Sequence, residues 1–287
     1  MKKHLVIWLL FVALVSCAAS VFAAEDAYAP LRKKLIEEGF GRDRVSRLYQ
    51  RPTAPLYKLI SKTLHIQEGR LNYDQFLESA SIARARNFQS KYAAALERAE
   101  KAYGVDGCVI TAILLVETQF GQYTGRTPTL AVLSSFALMD QKQNRDKVWK
   151  LMPAQDREHW GREAFDQKLV QRSEWAYREL CALLEWQKLH GARPESFMGS
   201  VMGAVGWPQF LPSSLVQYGV DGDGDGDIDL YDSEDAIAST ANYLKGHGWC
   251  EANTPEKQEA VIWSYNHSRP YISTVLGIAE KMKRAED

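Results

Sequence analysis

Val109-Ile-Thr-Ala-Ile-Leu-Leu-Val116 runs without a charged residue into Glu117-Thr-Gln-Phe-Gly121, and this stretch decides how the chain folds. Asp106 stands where an N-cap is needed and Gly121 where a helix stops. Apolar side chains cover nearly every face between them, so the segment predicts a buried helix. A carboxylate at its C-terminal end meets two effects that raise its pKa. Burial disfavours the charged form, and the negative end of the helix dipole repels it. Glu117 thereby has the makings of a proton donor near neutral pH. The simpler alternative is a glutamate at a helix end that reaches solvent or pairs with an arginine.

Outward from this helix the pattern stays helical. Leu31 to Gly39 predicts a short helix ended by its glycine, and Tyr73 to Gly104 predicts one or two helices rich in Ala, Arg and Glu. Gly121 to Pro128 is a glycine-bearing loop directly after Glu117, suited to form one lip of a cleft. Thr129 to Met139 predicts another apolar helix. In Arg162 to His190, Phe165, Leu169, Ala176, Leu180, Leu183 and Leu184 recur at helical spacing. Few segments alternate with period two, so strands are expected to be few and short. Gln141 to Trp160 is charged and has no clear place.

Two further stretches carry chemistry. Gly199 to Ser214 concentrates glycine, proline and serine around Gln209. Glycine allows a backbone or ligand to approach closely, and glutamine offers a donor and an acceptor to a hydroxyl-rich ligand. Asp221-Gly-Asp-Gly-Asp-Gly-Asp-Ile-Asp-Leu-Tyr-Asp232 matches the calcium loop of EF-hands, with Gly226 at the sharp turn. Asp232 ends that template where glutamate is usual, and its shorter arm reduces the ligand count. So many carboxylates would repel one another without a cation, and the residues Asp235 to Lys245 after them predict a helix. The expected role of the ion is structural, bracing the Gly/Pro-rich wall.

The 287 residues suffice for one large domain or two small ones. No basic run or face points to nucleic acid. Lys2 and Lys3, the apolar Leu5 to Val15 and the small-residue pattern Val21-Phe22-Ala23 form a secretion signal over residues 1–23. Its loss takes the formal charge from −1 to −3. Leu14-Val15-Ser16-Cys17 also fits a lipoprotein signal over residues 1–16 that leaves Cys17 lipidated, and Leu5 to Ala24 is just long enough for an uncleaved anchor. The apolar residues after Cys17 favour simple cleavage, and all three alternatives place the body outside the cytoplasm. Cys108, Cys181 and Cys250 allow at most one disulfide within the chain.

Val116-Glu-Thr-Gln-Phe-Gly121, Gly206-Trp-Pro-Gln-Phe-Leu-Pro-Ser-Ser214, the aspartate loop and Tyr265-Asn-His-Ser268 occur in one order. In that combination the chain resembles the membrane-bound lytic murein transglycosylase B family over roughly Ala29 to Lys283. The resemblance implies a mainly α, lysozyme-like fold, with residues 24–287 forming the catalytic domain. It implies a periplasmic enzyme, outer-membrane associated if lipidated and monomeric, acting on peptidoglycan glycan strands. The bond cleaved would be the β-1,4 link between N-acetylmuramic acid and N-acetylglucosamine, broken without water. By the same resemblance Glu117 is the catalytic acid. Ser200 and Gln209 bond to Glu117 or the sugars, Phe210 and Tyr265 form an apolar wall, and Asn266 bonds to substrate. The calcium ligands would be the side chains of Asp221, Asp223, Asp225 and Asp232 with the carbonyl of Asp227, and no organic cofactor is implied.

That chemistry needs one carboxylate. Ordinary glycosidases use two, and these motifs hold no second one outside the calcium loop. One glutamate suffices if the muramic acid C6 hydroxyl attacks C1 and leaves a 1,6-anhydro end. One departure is a strand-rich insertion of larger members, between the segments matching Gly246-His-Gly-Trp249 and Tyr265-Asn266. Only Cys250 to Ile262 stands there, so the cleft should be less enclosed on that side. A hydrolytic muramidase with a second carboxylate and a non-catalytic peptidoglycan-binding protein are the competing classes.

Overall fold

The computed structural model describes residues 26–50, 54–64, 72–191 and 193–284. The leader, with Cys17, lies outside them. Residues up to Pro55 and residues from Leu56 form separate compact units. In the first, α1 (Ala29–Glu37) starts with Pro30 in its first turn, where the missing N–H costs nothing. It packs on α2 (Arg42–Leu48), and the rings of Tyr28 and Tyr49 lie 5.2 Å apart.

The second unit opens with α3 (Tyr57–Thr63), a 3₁₀ turn at Asp74–Leu77, α4 (Ser79–Lys91) and α5 (Ala93–Tyr103). Tyr92 breaks the run that divides α4 from α5, and Gly104 caps α5 with a left-handed φ of 69°. Next comes α6 (Gly107–Thr118), the helix read first in the sequence. The Asp106 carboxylate caps it by accepting the Cys108 N–H at 2.7 Å. Strand β1 (Thr127–Pro128) leads into α7 (Thr129–Ala137), then α8 (Lys142–Leu151), α9 (Ala154–Trp160) and the 29-residue α10 (Arg162–His190). Strand β2 (Met198–Gly199), α11 (Pro212–Tyr218), α12 (Ser233–Gly246), α13 (Pro255–Tyr265) and α14 (Arg269–Lys283) complete the unit. The only sheet among the described residues pairs β1 antiparallel with β2, with Thr127 opposite Gly199 and Pro128 opposite Met198.

Helix α6 is the axis of the core. Ile110, Ile113, Leu114 and Leu115 are fully buried, and each contributes roughly 1.5–3 kcal/mol by leaving water. Around it pack α14, α4, α12 and α5. Thr111, equally buried, satisfies its hydroxyl on the Gly107 carbonyl at 2.7 Å. Alongside, α10 buries Phe165, Leu169, Ala176, Leu180, Leu183 and Leu184 and packs on α7 and α11.

Three local expectations need revision. The buried helix ends at Thr118 with Gln119, not Gly121, in the left-handed cap position. Gln141 to Trp160 folds into α8 and α9. Arg145 and Arg162 hold Asp166 at 2.8 Å each, and Arg162 also reaches Asp146. The Gly/Pro-rich stretch closes sooner than Ser214, because Pro212 begins α11. Cys108, Cys181 and Cys250 form no disulfide among the described residues. No helix among the described residues is long and apolar enough to cross a membrane.

Candidate active site

Glu117 occupies the last turn of α6, half-buried. After it the chain makes a rare turn, with Gln119, Phe120 and Gly121 all at positive φ, 51°, 63° and 80°. Such strain in non-glycine residues persists only where the surroundings fix it. Here the Gln119 and Phe120 N–H groups bond back to Leu115 and Leu114 carbonyls at 3.0 and 3.1 Å. The Phe120 ring stacks on Phe88 at 4.2 Å, and the Arg84 guanidinium donates to Gln119 Oε1 at 2.7 Å. Thr118 joins the turn to the opposite wall: its hydroxyl accepts the Gly121 N–H at 3.0 Å and donates to the Trp207 carbonyl at 2.9 Å. A Cβ on Gly121 would sit 2.3 Å from the Trp207 indole, so only glycine lets the wall approach.

The wall itself is a compact loop. Val205 and Phe210 exchange backbone hydrogen bonds at 2.8 and 3.1 Å, and Trp207 N–H donates to the Leu230 carbonyl at 2.8 Å. Ser200 does not bond to Glu117; its hydroxyl accepts the N–H groups of Met202 and Ala204 at 3.2 and 3.1 Å. Gln209, at φ 52°, donates its amide to the carbonyls of Thr124 and Gly206 at 3.2 and 2.9 Å, which ties the wall to the lip after Glu117. Phe210 is only 2% exposed, so it backs the wall instead of presenting a face; its ring lies 6.1 Å from that of Tyr265. Glu179 of α10, a buried residue outside the sequence motifs, anchors the far end of the wall. Its two carboxylate oxygens accept the N–H and hydroxyl of Ser213, each at 2.9 Å, at the start of α11.

Two tyrosines close the site from the C-terminal side. Tyr265 donates its hydroxyl to the Pro208 carbonyl at 2.5 Å, and Tyr271 donates to Glu117 Oε1 at 2.7 Å. Their rings stack at 6.4 Å and 11°. Burial, with the Glu117 carboxylate next in weight, pushes both phenols well above their usual range, so both remain donors. Asn266 caps α13, half-buried, and has no side-chain hydrogen bond among the described residues. Tyr271 was not singled out in the sequence; its only signal was the spacing Tyr265-Asn-His-Ser-Arg-Pro-Tyr271.

The aspartate loop is wound on itself. Asp221 accepts the N–H groups of Gly224 and Gly226 at 2.6 and 2.9 Å, Asp223 that of Asp225 at 3.0 Å, and Asp225 that of Asp227 at 2.8 Å. Carboxylate oxygens of Asp221, Asp223 and Asp235 lie within 4.8 Å of one another. Oxygens bound to one calcium at about 2.4 Å are at most ~4.8 Å apart, so this donor set fits a single hard cation. Asp232, the last ligand expected from the twelve-residue template, is instead the N-cap of α12, accepting the Glu234 N–H at 2.7 Å. Asp235 takes its place in the cluster. Burial, ahead of the neighbouring Asp223 and Asp232 charges, pushes its carboxyl up, although it accepts the N–H groups of Gly222 and Asp229. From the same loop, the Tyr231 hydroxyl donates to the Met198 carbonyl at 2.6 Å and so reaches β2.

The model of the transglycosylase SLT domain matches residues 23–259. Membrane-bound lytic murein transglycosylase B of Escherichia coli (strain K12) is 32% identical over 179 residues, which are 62% of this chain and 42% of that protein. The chain thus aligns with less than half of that relative's length. Among solved structures, soluble lytic transglycosylase SltB1 from Pseudomonas aeruginosa superposes with a TM-score of 0.69 at 24% identity, over 88% of this chain and 97% of that one. Escherichia coli Slt35 in complex with calcium gives 0.68 at 22%, over 92% and 96%. SltB3 from Pseudomonas aeruginosa in complex with NAG-NAM-pentapeptide gives 0.66 at 20%, over 88% and 78%. These likenesses establish the mainly helical fold, and the matched residues carry the family: the chain belongs to the transglycosylase SLT domain family.

Proposed function

We propose that this chain is a peptidoglycan lytic transglycosylase with Glu117 as its acid and then its base. The observation that carries this is a carboxylate at the end of a buried helix, held by the Tyr271 hydroxyl at 2.7 Å beside a wall fixed by Tyr265. Glu117 protonates the glycosidic oxygen as the C1–O bond breaks. The C6 hydroxyl of the same muramic acid then attacks C1 and returns its proton to Glu117. The protein ends as it began, and the product is a 1,6-anhydromuramoyl end. Intramolecular attack gains its advantage from proximity, while the aromatic wall keeps competing water away. Ser200 and Gln209 serve by shaping the wall, and Tyr265 and Asn266 by presenting it to sugar.

Calcium is proposed for the aspartate loop, held by Asp221, Asp223, Asp225, the Asp227 carbonyl and Asp235. Slt35, which shares the fold, has been solved in complex with calcium. Bound there, the ion would neutralise the carboxylates and stiffen the segment from which Tyr231 reaches β2. Export by the leader, with a free mature N-terminus or a lipidated Cys17, completes the proposal.

The test is mass spectrometry of purified peptidoglycan digested by the mature protein and by Glu117→Gln. Anhydro ends from the first and none from the second are expected. Reducing ends from the first would replace the proposal with a muramidase, and an active Glu117→Gln would remove Glu117 from the chemistry.

A further inference from the structure

Gln119 and Phe120 follow each other at φ 51° and 63°, two non-glycine residues in the left-handed region directly after Glu117-Thr118. Either residue alone is costly there, and a run of two holds only under restraint from outside. For Phe120 the restraint is apolar, its ring stacked on Phe88 at 4.2 Å. For Gln119 it is polar and comes from Arg84, one turn before Phe88 on α4. A guanidinium carries five donors and no acceptor, so the Gln119 amide must turn its oxygen to Arg84, where Nη1 donates to Oε1 at 2.7 Å. Arg84 Nη2 donates to the Ser81 hydroxyl at 3.2 Å, and Ser81 donates in turn to the Gln75 carbonyl at 2.8 Å. The guanidinium is thus fixed from its own helix and the 3₁₀ turn before it. Arg84 is half-buried and pairs with no carboxylate among the described residues, so its donors are directed at the turn and its support.

We propose that Arg84 is the positioning residue of Glu117: it keeps Gln119 left-handed and so stops α6 at Thr118 with the acid aimed at Tyr271. The inference rests on reading Glu117 as the acid and adds the group that fixes its direction. Right-handed backbone at Gln119 would carry α6 onward. Thr118 would then turn from the Gly121 N–H and the Trp207 carbonyl, which its hydroxyl joins at 3.0 and 2.9 Å. Glu117, one residue earlier, would turn with it and lose the Tyr271 hydroxyl at 2.7 Å. The wall and the Tyr265-Asn266 segment belong to other parts of the chain, so the loss falls on the acid more than on sugar binding. An arginine suits the task. Its charge-assisted bond is stronger than one between neutral groups, and it keeps its charge at every working pH.

The experiment is a double-mutant cycle on the rate of anhydro-end release, read by mass spectrometry. Arg84→Met keeps an apolar stem and a similar helix preference on α4 while removing both donors. Its kcat should fall about tenfold, the scale of one charge-assisted hydrogen bond, with KM nearly constant. Arg84→Lys, which can remake one bond but not the fork, should recover part of that loss. Gln119→Gly decides the mechanism, because glycine holds a positive φ unaided. In that background Arg84→Met should lower kcat by less than about twofold, a non-additive cycle. Arg84→Lys carries the same cycle if Arg84→Met lowers Tm below the assay temperature. An equal fall in both backgrounds, a wild-type kcat in Arg84→Met, or a loss carried by KM overturns the proposal. Reducing ends from the wild type would overturn the transglycosylase reading alone, because the same cycle on their release still tests Arg84. No cleavage by the wild type would overturn both.

Discussion

Replacing Tyr271 with phenylalanine isolates the contact on which the site depends most. The ring is 1% exposed and keeps its packing against Tyr265 and Tyr73, so the change removes one hydroxyl and little else. That hydroxyl donates to Glu117 Oε1 at 2.7 Å. A hydrogen bond to a charged group is worth about 1.5–3 kcal/mol. Glu117 is half-buried, so water can replace part of it, and a stability loss of about 1 kcal/mol is expected, or roughly 2–4 °C in Tm for a domain of this size. The remainder falls on catalysis, where about 1.4 kcal/mol is tenfold in rate, so kcat should drop roughly tenfold or somewhat more with KM nearly constant. The pH profile adds a second reading. A donor to a carboxylate favours its charged form, so its removal should move the high-pH limb of kcat/KM upward. Tyr265→Phe is the contrast, because its hydroxyl holds the Pro208 carbonyl in the wall and its loss should act chiefly through KM. Steady-state release of anhydro-muropeptides across pH is the assay. Tyr271→Phe with wild-type kcat and an unmoved limb would show that the contact does not position the acid.

Calcium should raise the wild-type Tm as its concentration rises, approaching about 2.7 kcal/mol of stabilisation at a hundred times Kd. Asp235→Asn should weaken that response at least tenfold, while Asp232→Ala should keep most of it and lower the calcium-free stability by about 1 kcal/mol, the cost of a lost N-cap; calorimetry with and without chelator separates the two. The acid dependence of α8 tests the ion pairs. Hydrogen bonds from Lys142 and Arg162 hold the Asp146 carboxyl down to about 2, so its contribution is full above the ordinary aspartate range and disappears as pH falls through about 2. Asp146→Asn should melt below wild type at pH 5, and the gap should narrow as pH drops below about 4; a gap constant with pH would assign the loss to packing.

The helices that were legible in the sequence are those whose apolar residues carry the period. Arg162–His190 coincides with α10 to the residue, since glycines stand at both ends and the buried positions recur every three or four residues. Helix α8 buries only Asn144 and Val148, and α9 buries no residue, so neither shows an apolar stripe. Helix α8 is tied to α10 by the Arg145–Asp166–Arg162–Asp146 network, and α9 packs against α10. Pro212 reads as a breaker inside a Gly/Pro-rich run, yet at the first turn of α11 it is a favoured residue. The end of α6 was misplaced because a glycine is the expected left-handed residue. Gln119 adopts that conformation where Arg84 and Phe88, both on α4, hold the turn, Arg84 through Gln119 and Phe88 through the Phe120 ring.

In the candidate site, sequence motifs indicated which residues meet but not which of their atoms are already engaged. Glu117, the wall and the Tyr265 segment do converge, and the contact between Glu117 and Tyr271 spans 154 residues, beyond any local pattern. Ser200 and Gln209 have the right chemistry to greet a sugar, yet the Ser200 hydroxyl and the Gln209 amide are engaged with backbone groups of the wall and its facing loop. That engagement follows from the loop's own composition. Glycines at 199, 203 and 206 let the chain turn tightly, and the turns leave N–H and carbonyl groups that nearby side chains must satisfy. The same competition separates Asp232 from Asp235. Both stand at the start of α12, where free N–H groups attract a carboxylate, and the residue in the N-cap position is the one they claim. Asp235, a turn further on, is left to face the loop. Where a helix begins inside a fixed-length template, its N-cap engages one carboxylate, Asp232, and the cluster of Asp221 and Asp223 is completed by Asp235.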